Sequence, residues 1–226
     1  MRKIRQIYEI LHKAYGPQGW WPLTERYKFI PEHKGKKPDT EKRKFEIIIG
    51  AILTQNTAWK NVEKAIIELN KRNLIDKNKL KSLPAKKLGK IIKSSGYFNQ
   101  KAKKIKAMLY FLESDRRVNR ENLLDVWGIG PETADSIMLY AYEKPFFVID
   151  AYTKRIFSRL GVAEKNASYD ELQELFHKSL SNNIKIFKEY HALLVEHAKR
   201  SCRTKPLCKQ CILRRYCNYW RNSKTL

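Results

Sequence analysis

The stretch Leu123–Arg155, LLDVWGIGPETADSIMLYAYEKPFFVIDAYTKR, decides how the rest of the chain is read. At its centre stands Gly128-Ile129-Gly130. Two glycines around one apolar residue permit a tight turn between helices, with backbone N–H groups facing outward. Pro131 suits the first turn of a following helix, where an N–H partner is not needed. Ala134 and Ile137 come next at helical spacing and read as inward residues. N–H groups at such a helix start can hold a nucleic-acid phosphate. A G-x-G turn alone is equally at home between any two packed helices. Further on, Asp150 follows the apolar run Phe146–Ile149 and precedes a helical pattern, the arrangement of an N-cap. A carboxylate held there stays ionised. It is also suited to stabilise a cationic transition state or to orient a water towards one.

Working outward, apolar spacing predicts helices near 2–15, 42–54, 57–71, 85–93, 99–114, 130–141, 151–160, 169–179 and 184–200. Phe45, Ile47, Ile48, Ala51 and Ile52 have the spacing of a buried helix, and Thr57 is placed to cap the next one. Ser168-Tyr169-Asp170-Glu171 fits a capping box. Strand signals are almost absent: Phe146–Ile149 is β-like but short. The lysine-rich segment Thr24–Lys44, with Pro31 and Pro38, reads as a loop or insertion. The fold class expected is all-α.

The chain has 226 residues, 42% of them hydrophobic, enough to bury a core. Its formal net charge of +24 repels itself in a compact state unless a polyanion takes it up. Nucleic acid is the natural candidate, since each Lys–phosphate contact also releases counterions; a merely lysine-rich solvated surface is the alternative. No apolar run approaches the roughly 20 residues a bilayer requires. The charged N-terminus places Ile4, Ile7 and Leu11 on one helical face, so it reads as a packed helix and not as an export signal. A soluble, cytoplasmic protein is expected. All four cysteines lie between 202 and 217, spaced C-x5-C-x2-C-x5-C, which points to a metal site and away from a disulfide framework. Spacing alone leaves zinc and a [4Fe–4S] cluster both open.

L-x-x-x-x-G-I-G-x-x-T-A from Leu123, followed by Val148-Ile149-Asp150, resembles the helix-hairpin-helix, Gly-Pro-Asp superfamily of DNA glycosylases, of the endonuclease III type. Ile52-Leu53-Thr54-Gln55-Asn56-Thr57 is similar to an early turn of that family, and Gly96-Tyr97-Phe98-Asn99-Gln100-Lys101-Ala102 to a second. The terminal cysteine block is similar to the family's cluster loop, with a first gap one residue shorter. The resemblance implies a six-helix body at 40–143 carrying the hairpin, and a second helical lobe of 1–39 and 144–226 carrying a [4Fe–4S] cluster loop at 202–217. The ligands it implies are Cys202, Cys208, Cys211 and Cys217. It implies a monomer acting on double-stranded DNA that contains a damaged base. Gln55 would enter the space left by a flipped nucleotide, with Asn56, Lys101, Gly128, Ile129, Gly130 and Thr133 at the DNA interface; Arg203 and Lys205, in the basic stretch around the cysteines, read either as a phosphate-contacting surface or as a solvated basic tail.

Bifunctional members carry a catalytic lysine two residues after the second hairpin glycine; here that position holds Glu132. A carboxylate cannot form the Schiff base that leads to strand cleavage. The expectation is a monofunctional glycosylase with Asp150 as the catalytic carboxylate. Trp20-Trp21-Pro22, Phe45-Glu46 and the turns at 50–57 and 96–102 are most similar to the 3-methyladenine glycosylases of this type. Trp20, Trp21, Phe45 and Glu132 are therefore the candidate pocket residues. A cationic alkylated purine stacks well on aromatic faces. Rival readings are a glycosylase for mismatched thymine or uracil or for oxidised-base pairs, and a non-catalytic DNA-binding relative.

Overall fold

The computed structural model describes residues 2–223. In chain order these form α1 (Arg2–Tyr15), strands β1 (Leu23–Thr24) and β2 (Pro31–Glu32), α2 (Glu41–Leu53), α3 (Trp59–Lys71), α4 (Lys77–Ser82), α5 (Ala85–Ile91), α6 (Phe98–Glu113), α7 (Arg120–Leu124), α8 (Pro131–Ser136), α9 (Ala151–Arg159), α10 (Tyr169–Leu180), α11 (Ile184–Arg200) and α12 (Asn218–Ser223). The α8 backbone runs on into a π-helical turn at Ile137–Ala141. The expected all-α class holds. The chain separates into a body of residues 21–144 and a unit built from both chain ends, 1–20 and 145–226.

In the body, α2 is the central helix. Every residue from Phe45 to Leu53 is buried, and apart from Glu46 none of them carries a polar side chain. Thr40 caps it, its side chain accepting from Arg43 N. Gly50 is required by packing: a Cβ there would stand 2.8 Å from the Trp21 indole. Trp21 meets Trp59 edge-on at 5.7 Å and tilts against Tyr140 at 5.3 Å.

The segment 21–39, read from the sequence with the chain ends, packs with the body instead. Strands β1 and β2 pair antiparallel there, where a plain loop was expected. The buried Glu46 carboxylate of α2 accepts from both the N–H and the hydroxyl of Thr24, each at 2.9 Å. Asn70 of α3 donates to the same hydroxyl at 2.9 Å. Three lysines of this segment are neutralised locally: Lys28 and Lys34 pair with Glu32, and Lys36 with Glu25, which also meets Arg43 of α2.

Short helices α4 and α7, capped by Asp76 and Asn119, lay below the length at which periodicity can be read. Arg120 of α7 grips the fully buried Asp135 of α8 through two N–H groups, at 2.7 and 3.3 Å. Thr57 does not cap α3, since Ala58 holds that position without a side-chain bond. The Thr57 hydroxyl donates to Ser95 O at 2.6 Å instead.

The second unit is built on an aromatic cluster. Phe147 stacks on Phe176 at 3.8 Å and meets Phe187 edge-on, and the Tyr190 hydroxyl donates to Ile4 O at 2.8 Å. The run Phe146–Ile149 is extended but not a strand: His177 Nε2 accepts from Phe147 N at 3.1 Å, and Gln173 donates to Phe147 O at 2.7 Å. Side chains of α10 thus satisfy the backbone that a neighbouring strand would otherwise satisfy. The predicted capping box at Ser168 and Glu171 is formed.

Candidate functional site

In the body, the hairpin turn joins α7 to α8. Gly128 has φ +80°, and a Cβ there would sit 2.7 Å from the Lys104 stem, so two separate constraints require glycine. Gly130 differs. Its φ is −99° and a Cβ would meet nothing within 4 Å. The protein's own packing does not ask for glycine at that position; what the missing side chain leaves is open approach to the first turn of α8. Ile129 is buried and anchors the turn.

Gln55 is bound to this hairpin. Its Nε2 donates to Gly128 O at 3.1 Å and to Thr133 Oγ1 at 2.9 Å. Its Oε1 accepts from Lys104 Nζ at 2.6 Å. Next to it, Asn56 is exposed in the left-handed region, φ 52°. Through Gln55 and Thr57 the three turns at 54–57, 95–97 and 127–130 are tied together. Lys101, expected at the DNA interface, is a correction: it is 2% exposed. Its ammonium donates to Leu53 O, Thr57 Oγ1 and Ser95 O at 2.6–2.7 Å, which uses all three N–H groups inside the protein. Burial and the charge of Lys104 lower its pKa to about 8. Glu132 is exposed in the first turn of α8.

The other candidate acid lies in the second unit. Asp150 caps α9, its Oδ1 accepting from Thr153 N at 2.7 Å and Thr153 Oγ1 at 2.8 Å. His191 Nε2 of α11 stands 3.6 Å from Oδ2. Burial pushes this carboxyl up, but His191 and the two Thr153 bonds outweigh it and hold the pKa below its usual value. Asp150 is thus a nearly buried carboxylate kept ionised.

Of the aromatic candidates, Trp21 and Phe45 are buried in the body's core and Trp20 is half-buried.

The four cysteines all line one small, apolar-walled cavity in the second unit, with Ile156, Leu160, Pro206 and Leu213. Two arginines of α9 hold the loop that carries them. Arg155 donates to Cys202 O at 2.9 Å, and Arg159 donates to Arg203 O at 2.6 Å and Thr204 O at 2.9 Å. Arg159 also lies 3.4 Å from Cys202 Sγ, and Cys217 Sγ donates to Arg159 O at 3.3 Å. Burial pushes the Cys211 thiol up to about 11. The four cysteines lining this cavity, with Arg159 beside Cys202, are the soft donor set an iron–sulfur cluster takes, while among the described residues no three ligating side chains are grouped as they would be around a single metal ion. Arg203 and Lys205 are exposed on the same loop.

Lys104, His191, Arg155 and Arg159 were not read from the sequence. Thr153 had a local signal, three residues after an N-cap aspartate. The others act on residues tens of positions away, and nothing local marks them.

The family model of HhH-GPD superfamily base excision DNA repair proteins matches residues 49–182. A Methanocaldococcus jannaschii protein assigned to DNA repair glycosylases is 43% identical over 227 residues, covering 95% of each chain. Endonuclease III of Sulfolobus acidocaldarius is 30% identical over 185 residues, covering 78% of this chain and 82% of its own. Among solved structures, a non-covalent endonuclease III–DNA complex superimposes with TM-score 0.78 at 20% identity, covering 100% of this chain and 98% of that one. The H. pylori 3-methyladenine DNA glycosylase bound to 1,N6-ethenoadenine superimposes with TM-score 0.68 at 26% identity, covering 87% of this chain and 97% of its own. No helix among the described residues is long and apolar enough to cross a membrane. With its hairpin, its V-I-D segment and these relatives, the chain belongs to the helix-hairpin-helix, Gly-Pro-Asp superfamily and is a base-excision DNA glycosylase of the endonuclease III type.

Proposed function

We propose that the protein is a monofunctional glycosylase that removes alkylated purines such as 3-methyladenine from double-stranded DNA, acting as a monomer. The observation that carries this reading is the pair of acids: Asp150 kept ionised in a nearly buried site, and Glu132 where a Schiff-base lysine would stand. Asp150 stabilises the positive charge that develops on the sugar as the base leaves, and orients the attacking water. The resulting abasic site stays unbroken, because Glu132 cannot form a covalent imine. An alkylated purine carries positive charge and leaves readily, so this modest apparatus is enough. The similarity to the H. pylori enzyme, which acts on 3-methyladenine, supports the substrate class.

In this reading Trp21 and Phe45, packed in the body's core, back the base pocket, with the exposed Glu132 at its polar side. Gln55 and Asn56 replace the flipped nucleotide, whose extrusion costs a few kcal/mol. Gly128, Ile129, Gly130 and Thr133 form the phosphate-binding turn, and Arg203 and Lys205 add backbone contacts. Cys202, Cys208, Cys211 and Cys217 hold a [4Fe–4S] cluster. Bound there, it supplies a rigid cross-link for the loop, and base hydrolysis requires no electron transfer.

The test is release of free bases from methylated duplex DNA, separated by chromatography, with strand integrity read on a denaturing gel. Free 3-methyladenine with intact strands is expected. Strand breakage would overturn the monofunctional assignment. Release only from thymine or uracil mismatches would overturn the substrate class.

A further inference from the structure

We propose that Lys104 is a positioning residue for damage recognition: it fixes Gln55 and the Gly128 turn in one arrangement and acts through Gln55, not through DNA. The inference rests on the reading of Gln55 as the residue that replaces the flipped nucleotide.

The Gln55 carboxamide has its orientation dictated by its partners. Lys104 can only donate, so it meets Oε1; Gly128 O can only accept, so it meets Nε2. Both Nε2 hydrogens are used, the second on Thr133 Oγ1. The Lys104 contact is charge-assisted, the stronger kind of hydrogen bond. The same side chain has a second grip. Its Cγ, Cδ and Cε all come within 2.8 Å of where a Gly128 Cβ would stand, so the stem lies across the bare backbone of the turn. One lysine on α6 therefore holds both the tip of Gln55 and the backbone to which Gln55 bonds. The hairpin reaches a phosphate through backbone groups, and Gln55 reaches the duplex interior. Their relative placement sets whether both engage at once, and Lys104 sets that placement. Its neighbour Lys103 is exposed and provides the comparison for loss of charge alone.

The experiment measures Kd of the full, cluster-loaded chain for a duplex carrying a tetrahydrofuran abasic-site analogue and for the same duplex undamaged, over a salt series. K104M keeps the aliphatic stem and removes the donor. Loss of one charge-assisted bond should weaken abasic-duplex binding about tenfold. Undamaged-duplex affinity and the salt slope should match K103M, and the loss should disappear in a Q55A background. K104R keeps the charge, the Cγ and Cδ of the stem and donors for Gln55 Oε1, so it should retain most of the preference for the abasic duplex; K104Q, which lacks the ammonium, carries the test if K104M does not fold. Equal loss on both duplexes, with a salt slope shallower by about one, would make Lys104 a phosphate contact and overturn the proposal. So would a K104M loss that persists undiminished in Q55A. A wild-type protein that does not prefer the abasic duplex would instead sink the reading of Gln55 beneath it.

Discussion

Replacing Asp150 with Asn separates its two roles. Both bonds from Thr153 go to the same oxygen, Oδ1. Asn presents an equivalent oxygen there, and Asn and Asp cap helices about equally well. The other oxygen, which faces His191 at 3.6 Å, becomes an amide. The variant therefore keeps the cap and loses the charge. Its stability should fall by less than about 1 kcal/mol, whereas Asp150→Ala, which removes the cap, should cost about 1–2 kcal/mol. Activity should respond in the opposite order of sensitivity. A lone charge or general base aimed at the reacting centre contributes roughly a hundredfold to ten-thousandfold. Single-turnover base release by Asp150→Asn should slow by that amount, with the urea unfolding midpoint nearly unchanged. Undiminished base release by a folded Asp150→Asn protein would refute the role given to the carboxylate. A lower midpoint with normal activity would reduce Asp150 to a helix cap.

Three further outcomes are expected. Glu46→Gln should change the pH dependence of stability: burial pushes the Glu46 carboxyl up, and the bonds from Thr24 and Asn70 lower it only in part. The folded state then binds the proton more tightly than the unfolded one, so this group's contribution is greatest in acid and declines as pH rises above 4.5. Gln removes that decline, read as a flatter melting temperature from acid to neutral pH; an unchanged profile would contradict the assignment. Asp135→Ala should cost about 3 kcal/mol in urea unfolding, the low end for a broken buried pair, because Arg120 remains partly solvated. A loss under about 1 kcal/mol would show that the pair is not a structural tie. Wild-type protein should be coloured, with iron and sulfide in the ratio of a four-iron cluster, and Cys211→Ser should lose the visible absorbance; a colourless protein with one bound zinc would reject the cluster.

Much of this arrangement was legible in the sequence, for physical reasons that differ from residue to residue. The hairpin could be read because its constraints are local: Gly128 needs its φ, and Pro131 marks the helix start. The Asp150 cap and the capping box at Ser168 are local in the same way, and the cysteines are close enough in sequence to declare a shared site. Lys101 was placed at the DNA interface through the resemblance of the 96–102 turn, and nothing in its local sequence marks it as buried. Only the fold shows three acceptors, from Leu53, Thr57 and Ser95, converging on its ammonium. Strands β1 and β2 have two residues each, too few for any alternation to appear. Their cause is Glu46, an acid inside an otherwise apolar helix that needed donors and found them in Thr24. The partners of Gln55 and Asp150, Lys104 and His191, lie 49 and 41 positions from them, and no local pattern links residues that far apart.

Helix α9 connects two features that the chemistry keeps separate. Its N-terminus is capped by Asp150, and its later turns extend Arg155 and Arg159 to the backbone of the cysteine loop. A short helix of nine residues has little stability of its own. It is held at one end by the carboxylate that the proposed reaction uses and at the other by a loop that four thiolates can cross-link. An ordered loop therefore limits how far α9 can shift, and with it the N–H and hydroxyl of Thr153 that orient Asp150. The cysteine site needs no electron transfer to matter for base removal. Fixing the far end of the helix that Asp150 begins is sufficient, and this predicts that replacing the cysteines weakens catalysis through the geometry of Asp150 and not through DNA affinity alone.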